Sequence, residues 1–323
     1  MRGAQERTIE GTGTMRAALA AEFGGIDGVR LGERPEPAAG AGQVLIRVRA
    51  AGVGPWDVGF LSGGFPGVAL PFVPGQEVAG VVEAAGVGAG VQPGERVYGS
   101  LFPAGGGFAE LALAAAERVA PMAGRVSFAE AAGLVIGAGT AHEGLVDRGR
   151  LRAGETVLIT AAAGGVGSAA VQIAAAVGAR ALGVASAGNH DYLKSLGASE
   201  VFDYHDADWA RQVRAAVPGG VDLLLDGAGG HTRDQAIGAV RDGGRAVFIV
   251  LRGPAARLER GITGEPFAAR VTRPRLEALN RLVDAGALRP QVSAVLPLEQ
   301  AREALAQVAA GHARGKIVLR IGQ

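Results

Sequence analysis

One segment near the middle of the chain constrains the fold strongly, because a strand, a glycine-rich turn and a helix follow one another directly. The apolar run Thr156–Thr160 predicts a buried strand, and the apolar run Ala169–Val177 predicts a helix. Between them lie Gly164, Gly165 and Gly167. In this order the N–H groups at the helix start face an anion, and the glycines allow a pyrophosphate and the helix to approach the backbone. The segment predicts dinucleotide binding, with a plain tight turn as the alternative.

The region around this turn has the periodicity of a doubly wound α/β fold. From about Ser127 to Val283, apolar strands alternate with helical stretches, which predicts a parallel sheet with helices on both faces. The predicted strands are Thr156–Thr160, Ala179–Ser186, Val201–Tyr204, Val221–Asp226 and Arg245–Val250.

The flanking regions have a different pattern. From Met15 to about Val119 the segments are short and β-like, as in Gln43–Val48 and Val78–Val82, and Gly/Pro clusters separate them. Strand-like residues return near the C-terminus, around Pro290–Pro297 and Gly315–Ile321. We therefore expect a β domain of barrel character over residues 15–133, completed by residues 284–323. Residues 134–283 then form the inserted dinucleotide-binding domain, and residues 1–14 a flexible extension.

Composition excludes several classes of function. The 32 basic and 31 acidic residues are interspersed, so no basic face attracts nucleic acid. There is no cysteine, which excludes disulfides, thiolate nucleophiles and thiolate metal ligands. The start of the chain lacks the apolar core of a signal peptide. The uncharged run Thr156–Ala179 is interrupted by glycines and reads as strand, turn and helix rather than a membrane span. We expect a cytoplasmic protein.

The end of the second predicted strand bears on the choice of cofactor. Folds that bind NAD place an acidic residue there to accept the adenosine ribose hydroxyls. Here the strand ends at Ser186, and Asn189, His190 and Lys194 follow, all of which can donate hydrogen bonds to a 2′-phosphate. The segment therefore favours NADPH. A second interpretation, compatible with the first, is that Ser186 and Asn189 cap the next helix.

Several segments after residue 14 occur together in one order. They are Ala50–Asp57, Pro74–Gly80, Gly94–Tyr98, Gly107–Glu110, Ala153–Leu158, Ala161–Gly167, Leu196–Tyr204 and Gly315–Val318. In these motifs the chain resembles the quinone oxidoreductase branch of the medium-chain dehydrogenase/reductase superfamily, with its zeta-crystallin-like and enoyl reductase members. The resemblance implies a GroES-like β-barrel substrate domain with an inserted doubly wound Rossmann domain and an active site in the cleft between them. It also implies a homodimer or homotetramer, and we expect a homodimer.

The resemblance also implies zinc-independent chemistry. Metal-dependent relatives carry a zinc-ligating Cys where this chain has Gly54 and a His where it has Gln76. Without thiolate ligands the chain lacks the Lewis acid that polarises an alcohol oxygen. A quinone or an α,β-unsaturated carbonyl is already activated, so positioning and oxyanion stabilisation suffice for hydride transfer to it. We therefore expect the two-electron reduction of such an acceptor by NADPH.

The chain departs from the family pattern at two positions. Quinone reductases usually have an Asn where this chain has Gly54, and often a Tyr where it has Gly59. We expect these glycines to widen the substrate pocket for a bulkier or more apolar acceptor. The candidate walls are Trp56, Phe60, Phe65 and Phe72, although the same aromatic residues are equally typical of an ordinary core.

Catalytic candidates are few. His142 has an unperturbed pKa suited to proton delivery, but a helix-surface role is the alternative. Asp57 is the second candidate, and its alternative role is to fix the loop; solvent can also supply the proton. By resemblance and motif, the predicted cofactor-binding residues are Thr140, Ala162, Gly164, Gly165, Val166, Gly167, Ser186, Asn189, His190, Tyr204, Gly229, Leu251 and Lys316. Lys316 and Arg252 are candidates for pairing with phosphate, with solvated surface as the alternative.

Two other functions remain open at this point. One is a biosynthetic enoyl reductase or tailoring enzyme that acts on a bulky intermediate. The other is a protein that binds NADPH without turnover, because the side chains absent at Gly54 and Gly59 can also mean lost catalysis. Turnover of simple quinones, of enones, or of neither distinguishes these possibilities.

Overall fold

The computed structural model describes residues 13–63, 65, 68–251, 253–311 and 313–322. The chain divides into two compact units. The first comprises the described residues up to Val135, together with Val271–Asn280 and those from Val292 onward. The second comprises Ile136–Arg270 and Arg281–Gln291. The predicted flexible extension falls almost entirely on residues 1–12, which lie outside the described residues, and Thr14 already belongs to a strand.

The strands are β1 (Thr14–Ala20), β2 (Val29–Pro35), β3 (Gln43–Val53), β4 (Glu77–Ala85), β5 (Arg96–Ser100), β6 (Leu111–Ala115), β7 (Val119–Pro121), β8 (Thr156–Ile159), β9 (Arg180–Val184), β10 (Glu200–Phe202), β11 (Val221–Asp226), β12 (Val240–Phe248), β13 (Thr263–Pro266), β14 (Val292–Pro297) and β15 (Lys316–Arg320). The α-helices are α1 (Pro55–Leu61), α2 (Phe128–His142), α3 (Gly165–Val177), α4 (His190–Ser195), α5 (Trp209–Ala216), α6 (Gly230–Ala239), α7 (Arg273–Asp284) and α8 (Ala301–Ala310). None of the helices in the described ranges combines the length and the apolar character that crossing a membrane requires.

The first unit is built around a sheet in the order β14-β15-β3-β4-β5-β7, with β6 also paired to β3 and a separate β1–β2 hairpin. Val44, Ile46 and Val48 alternate along β3 into the hydrophobic core, because successive side chains of a strand point to opposite faces. The register of β3 places Gly52 opposite Glu77 of β4, and Val53 opposite Ile317 of β15. The C-terminal strand therefore completes the first unit, as the resemblance implies.

The second unit contains a six-stranded sheet in the order β10-β9-β8-β11-β12-β13, in which every pairing is parallel. In chain order this is 3-2-1-4-5-6, the strand order of the dinucleotide-binding fold. The strand order reverses between β8 and β11, and ligands of such sheets bind at the carboxyl ends of the strands at this point. The α/β fold class predicted from the alternation of strands and helices is confirmed.

Candidate functional site

The glycine turn between β8 and α3 has the form of a phosphate cradle. Gly164 is the N-cap of α3 in extended backbone, and the amide groups that follow it lie in the first helical turn, where the helix supplies no acceptor. A Cβ on Gly164 would meet only the carbonyl oxygen of Ala161, at 3.4 Å. A Cβ on Gly167 would lie 2.4 Å from that oxygen and 2.5 Å from Cα of Ala162. Gly167 is therefore needed for packing inside the protein, whereas Gly164 leaves open space that suits a pyrophosphate.

A buried hydrogen-bond network links the ends of β8 and β11. The Thr160 hydroxyl donates to Oδ1 of Asp226 (2.6 Å) and accepts the N–H of Gly227 (2.9 Å). The fully buried carboxylate of Asp226 also accepts the N–H of Gly229, 3.1 Å from Oδ2. Gly229 is the N-cap of α6, with φ at +69°. One side-chain pair thus ties the glycine turn before α6 to the end of β8.

The predicted adenosine end follows β9. Ser186 accepts a hydrogen bond from the Asn189 side chain (Oγ to Nδ2, 3.0 Å), so these two groups hold one another. Nε2 of His190 is buried and has no hydrogen-bond partner among the described residues. Tyr204, placed beside the adenine by resemblance, is exposed, and its ring centroid lies 4.2 Å from that of His205.

Asp203 at the same end was not identified from the sequence. It accepts hydrogen bonds from the N–H of Ala187 (3.1 Å) and from the N–H of His205 (2.9 Å). These bonds, that of the His205 amide most of all, hold the pKa of the carboxyl below its usual value although burial opposes them. Asp203 therefore carries a negative charge bonded to the turn that was predicted to hold a 2′-phosphate. Its position at the end of β10 was the available sequence signal.

The remaining predicted cofactor contacts are dispersed over the second unit. Thr140 is buried in α2, and Ala162 is buried in the glycine turn, where its N–H donates to the carbonyl oxygen of Val184. Gly165 and Val166 open α3, and Leu251 is exposed after β12. Arg252 lies outside the described residues. Their roles toward a cofactor stay predictions.

The catalytic candidate Asp57 is fully buried in α1 of the first unit. Its two carboxylate oxygens accept the N–H groups of Gly54 (2.9 Å) and Gly75 (2.9 Å). Burial raises the pKa of Asp57 to about 7, although these two amides and Lys316 oppose the rise. The carboxylate therefore ties the start of α1 to the segment before β4.

Lys316 does not have the predicted role. Its ammonium lies 2.5 Å from Oε1 of the buried Glu77 and donates to the carbonyl oxygen of Val53 (2.9 Å). It also lies 4.6 Å from the centroid of a ring of Trp56, within the range of a cation–π contact. We expected Lys316 to pair with a cofactor phosphate. The structure corrects this expectation, because the ammonium is already committed inside the first unit.

Gly54 does not leave the open space that we expected. A Cβ at this position would lie 2.2 Å from atoms Cε2 and Cζ2 of the Trp56 indole. The indole therefore covers Gly54, and the expectation that this glycine widens a pocket is wrong. The sequence shows that residue 54 is a glycine, but it does not show that the indole of Trp56 fills the space beside it.

Three of the four candidate pocket aromatics do come together. The ring of Phe60 stacks on those of Phe65 (centroids 3.9 Å apart) and Phe72 (5.5 Å). All three line a cavity of about 510 Å³ in the first unit, and Phe60 and Phe72 also belong to its core. Trp56 lies apart from this cavity lining. The three phenylalanines therefore line a cavity, as expected for a pocket wall, and two of them also belong to the hydrophobic core.

Gln76 is a further unusual group in this unit. Its side chain is fully buried, and neither amide atom has a hydrogen-bond partner among the described residues. Nε1 of Trp56 is likewise buried without a partner. His142, in contrast, is half-buried at the end of α2 and has interactions of its own, and its catalytic role stays a prediction.

Comparison with known proteins gives consistent results. The family model described as an alcohol dehydrogenase GroES-like domain matches residues 40–124, and that described as a zinc-binding dehydrogenase matches residues 196–319. A quinone oxidoreductase of Mus musculus is 32% identical, over 94% of this chain and 97% of that protein.

Solved structures agree with the sequence matches. A structure described as an NAD-dependent alcohol dehydrogenase has a TM-score of 0.88 at 30% identity, covering 95% of this chain and 100% of that one. The CurK enoyl reductase has a TM-score of 0.84 at 26% identity, covering 95% and 99%.

The residues present do not fit the zinc site that the name of one family model suggests. The chain has no cysteine, and the position where the resemblance puts a zinc-ligating Cys is a glycine covered by the Trp56 indole. Over the described ranges, no three His, Asp or Glu side chains gather into a ligand set. The cradle at Gly164, by contrast, fits a dinucleotide.

Proposed function

Because the chain belongs to the medium-chain dehydrogenase/reductase superfamily, in its quinone oxidoreductase branch, we propose that it is a zinc-independent reductase of quinones or α,β-unsaturated carbonyl compounds that uses NADPH. The superfamily is one of nicotinamide-dependent oxidoreductases, so the proposal concerns the choice of NADPH, the acceptor and the independence from zinc. The observation that carries it is the cradle at Gly164, open above the glycine and lined by the first-turn amides of α3.

The second unit holds the nucleotide in this proposal. The amides of Gly165 and Val166 bind the pyrophosphate, favoured by the positive end of the α3 dipole. The Thr160–Asp226 pair holds the turn at Gly229 in place. The reduced nicotinamide supplies a hydride when it is bound.

NADPH is favoured over NADH by the groups after β9. No carboxylate stands at Ser186 to accept ribose hydroxyls, and the unpartnered Nε2 of His190 is available as a donor. Asp203 is the opposing group, but its charge is engaged by the amides of Ala187 and His205. Titration with NADPH and with NADH measures whether the donor groups after β9 or the charge of Asp203 decides the preference.

The reaction requires one hydride and one proton. The hydride adds to the electron-poor carbon of the acceptor, the electron pair moves to the carbonyl oxygen, and a solvent proton completes the reduced product. Buried N–H donors that face the developing oxyanion stabilise it.

Nucleotide titration and turnover assays test the proposal. We expect NADPH to bind at least about tenfold more tightly than NADH, as lost charge-assisted hydrogen bonds require, and to be oxidised by 1,4-naphthoquinone or 2-cyclohexenone. Gly164→Ala should weaken NADPH binding without lowering the melting temperature, because its Cβ meets only one atom, at 3.4 Å. Gly167→Ala is the matched control and should lose both stability and binding, because its Cβ meets backbone at 2.4 Å.

The outcomes separate the alternatives. If neither nucleotide binds the folded protein, the proposal fails. Tighter binding of NADH would reverse the cofactor assignment. Binding with no oxidation by either acceptor would favour a non-catalytic NADPH-binding protein instead.

A further inference from the structure

Two side chains of the first unit have buried polar atoms that lack the partners that comparable atoms have elsewhere in the protein. The described residues include a second tryptophan, the fully buried Trp209, whose Nε1 donates to Oε1 of Gln235 (2.9 Å). They also include a second buried glutamine, Gln172, whose amide nitrogen donates to the carbonyl oxygen of Arg289 (3.1 Å) and whose oxygen accepts the N–H of the same residue (2.8 Å). Trp56 and Gln76 have no such bonds. Since buried polar groups are nearly always paired, this difference needs an explanation.

The two unpaired groups belong to one cluster. The Asp57 carboxylate binds the N–H of Gly54 and the N–H of Gly75, so it ties the turn that contains Trp56 to the segment that leads into Gln76. Lys316 makes a second link, because its ammonium contacts both the Trp56 ring and Glu77. The backbone around both side chains is therefore fixed, and Trp56 is additionally held over Gly54.

The free groups are an indole N–H, an amide NH2 and an amide carbonyl. The N–H groups match a carbonyl oxygen, and the amide carbonyl matches the hydroxyl that this oxygen becomes when it is protonated. None of the three groups is charged, whereas Lys316, Glu77 and the Asp57 carboxylate are occupied by one another and by backbone. The cluster therefore suits a neutral ligand oxygen that alternates between acceptor and donor.

We propose that the Trp56 indole N–H and the Gln76 side-chain amide bind the carbonyl oxygen of the hydride acceptor, so that the enzyme selects acceptors whose activated carbon is conjugated to a carbonyl group. This inference rests on the proposed reductase function and names two groups that contact its substrate. The hydride goes to the conjugated carbon, the electron pair reaches this oxygen, and solvent supplies the proton. The two N–H donors stabilise the oxygen as its negative charge develops.

The test uses two variants that remove the polar atoms. Gln76→Met keeps the approximate length and shape of the side chain, whereas Trp56→Phe also removes part of the ring system. Each should lower kcat/KM for 1,4-naphthoquinone by roughly 100-fold, since one lost oxyanion donor typically costs about 100- to 1,000-fold. The dissociation constant of NADPH should stay unchanged. The melting temperature of Gln76→Met should stay equal or rise, because an unpaired buried polar group destabilises a fold.

Trp209→Phe and Gln172→Met are the matched controls, and they should show the reverse pattern. Their polar atoms have partners within the protein, so both variants should lose stability while kcat/KM of the folded protein stays unchanged. If Trp56→Phe and Gln76→Met instead keep their kcat/KM and Gln76→Met loses stability, the two groups are structural and the inference is overturned.

A binding measurement separates this inference from the proposed function. Equilibrium dialysis of 1,4-naphthoquinone against the protein with NADP⁺ requires no turnover. We expect Gln76→Met to raise the dissociation constant of the quinone by about tenfold, the loss of roughly one hydrogen bond to a buried group. An unchanged constant overturns the inference even if the enzyme is active. A raised constant in a protein that never oxidises NADPH supports the subsite and rejects the reductase function.

Discussion

Asp57 shows how one residue can couple the candidate site to pH. Its carboxyl group is fully buried, and burial raises its pKa from 3.8 to about 7. The N–H groups of Gly54 and Gly75 and the charge of Lys316 lower the pKa, while the charge of Glu77 raises it further. Between these two pKa values the folded protein binds more protons than the unfolded chain. The contribution of Asp57 to stability is therefore most favourable in acid and declines as the pH rises through this window.

Asp57→Asn should remove this pH dependence. We expect the free energy of unfolding of the wild type to fall relative to that of the variant by roughly 1.4 kcal/mol per pH unit between about pH 4 and pH 7, because each unit of pKa shift has that value. The two proteins are compared by urea denaturation at several pH values in this window. Asp191→Asn, at an exposed position, serves as a control for the introduction of an asparagine. If the unfolding free energies of Asp57→Asn and the wild type change in parallel with pH, the raised pKa of Asp57 is contradicted.

Single residues of the site were only partly predictable from the sequence. The glycine turn between a strand and a helix could be found because glycines at this spacing are typical of dinucleotide-binding folds, and the structure has the strand, turn and helix in that order. Two contacts could not be predicted. The position of the Trp56 indole over Gly54 depends on the rotamer of an aromatic side chain. The ion pair of Lys316 with Glu77 joins strands that are far apart in the chain.

At the scale of secondary-structure elements, the Thr160–Asp226 pair joins the carboxyl ends of β8 and β11, the two strands between which the strand order of the second sheet reverses. Thr160 follows β8 directly, and Asp226 is the last residue of β11. Their hydrogen bond is buried, and both groups also bind amides of the turn before α6. The two strands are paired in register as far as Ile159 and Leu225. The pair therefore extends the contact between the two strands into the turn before α6.

Thr160→Val should weaken both stability and nucleotide binding. The valine removes a buried donor and acceptor while keeping the shape, so the Gly227 amide and the Asp226 carboxylate lose a partner at a cost of about 1–3 kcal/mol. We expect this loss in thermal unfolding, together with an increase of several-fold in the dissociation constant of NADPH. Thr160→Ser keeps the hydroxyl and should retain most of both properties. A valine variant as stable as the wild type would show that the network contributes nothing.

The boundaries of the elements show where sequence patterns lose information. The predicted strand Val221–Asp226 agrees with the structure, because its apolar run has clear ends. We expected the next strand at Arg245–Val250, but β12 begins at Val240, because Gly243 and Gly244 look like a turn and are in fact part of an irregular strand. The edge strand β13 was missed, because its four residues are exposed and have no apolar pattern.

At the scale of the whole molecule, each unit has its own hydrophobic core and its own tryptophan. Trp56 packs against the core of the first unit, and Trp209 is fully buried in the core of the second. The chain has only these two tryptophans. The alternation of strands and helices was sufficient to predict the parallel sheet of the second unit, because that pattern reflects burial over many residues rather than any single contact.

This distribution of tryptophans tests where the nucleotide binds. In Trp56→Phe, fluorescence reports the unfolding of the second unit through Trp209, and in Trp209→Phe it reports the first unit through Trp56. A ligand that binds only the folded state stabilises it by about 2.7 kcal/mol at a concentration 100-fold above its dissociation constant. We expect NADPH to raise the Trp209-reported unfolding free energy by about this amount, because the cradle at Gly164 belongs to the second unit. A Trp209 transition that does not respond while NADPH is bound would contradict this placement, and a response confined to Trp56 would assign the nucleotide to the first unit.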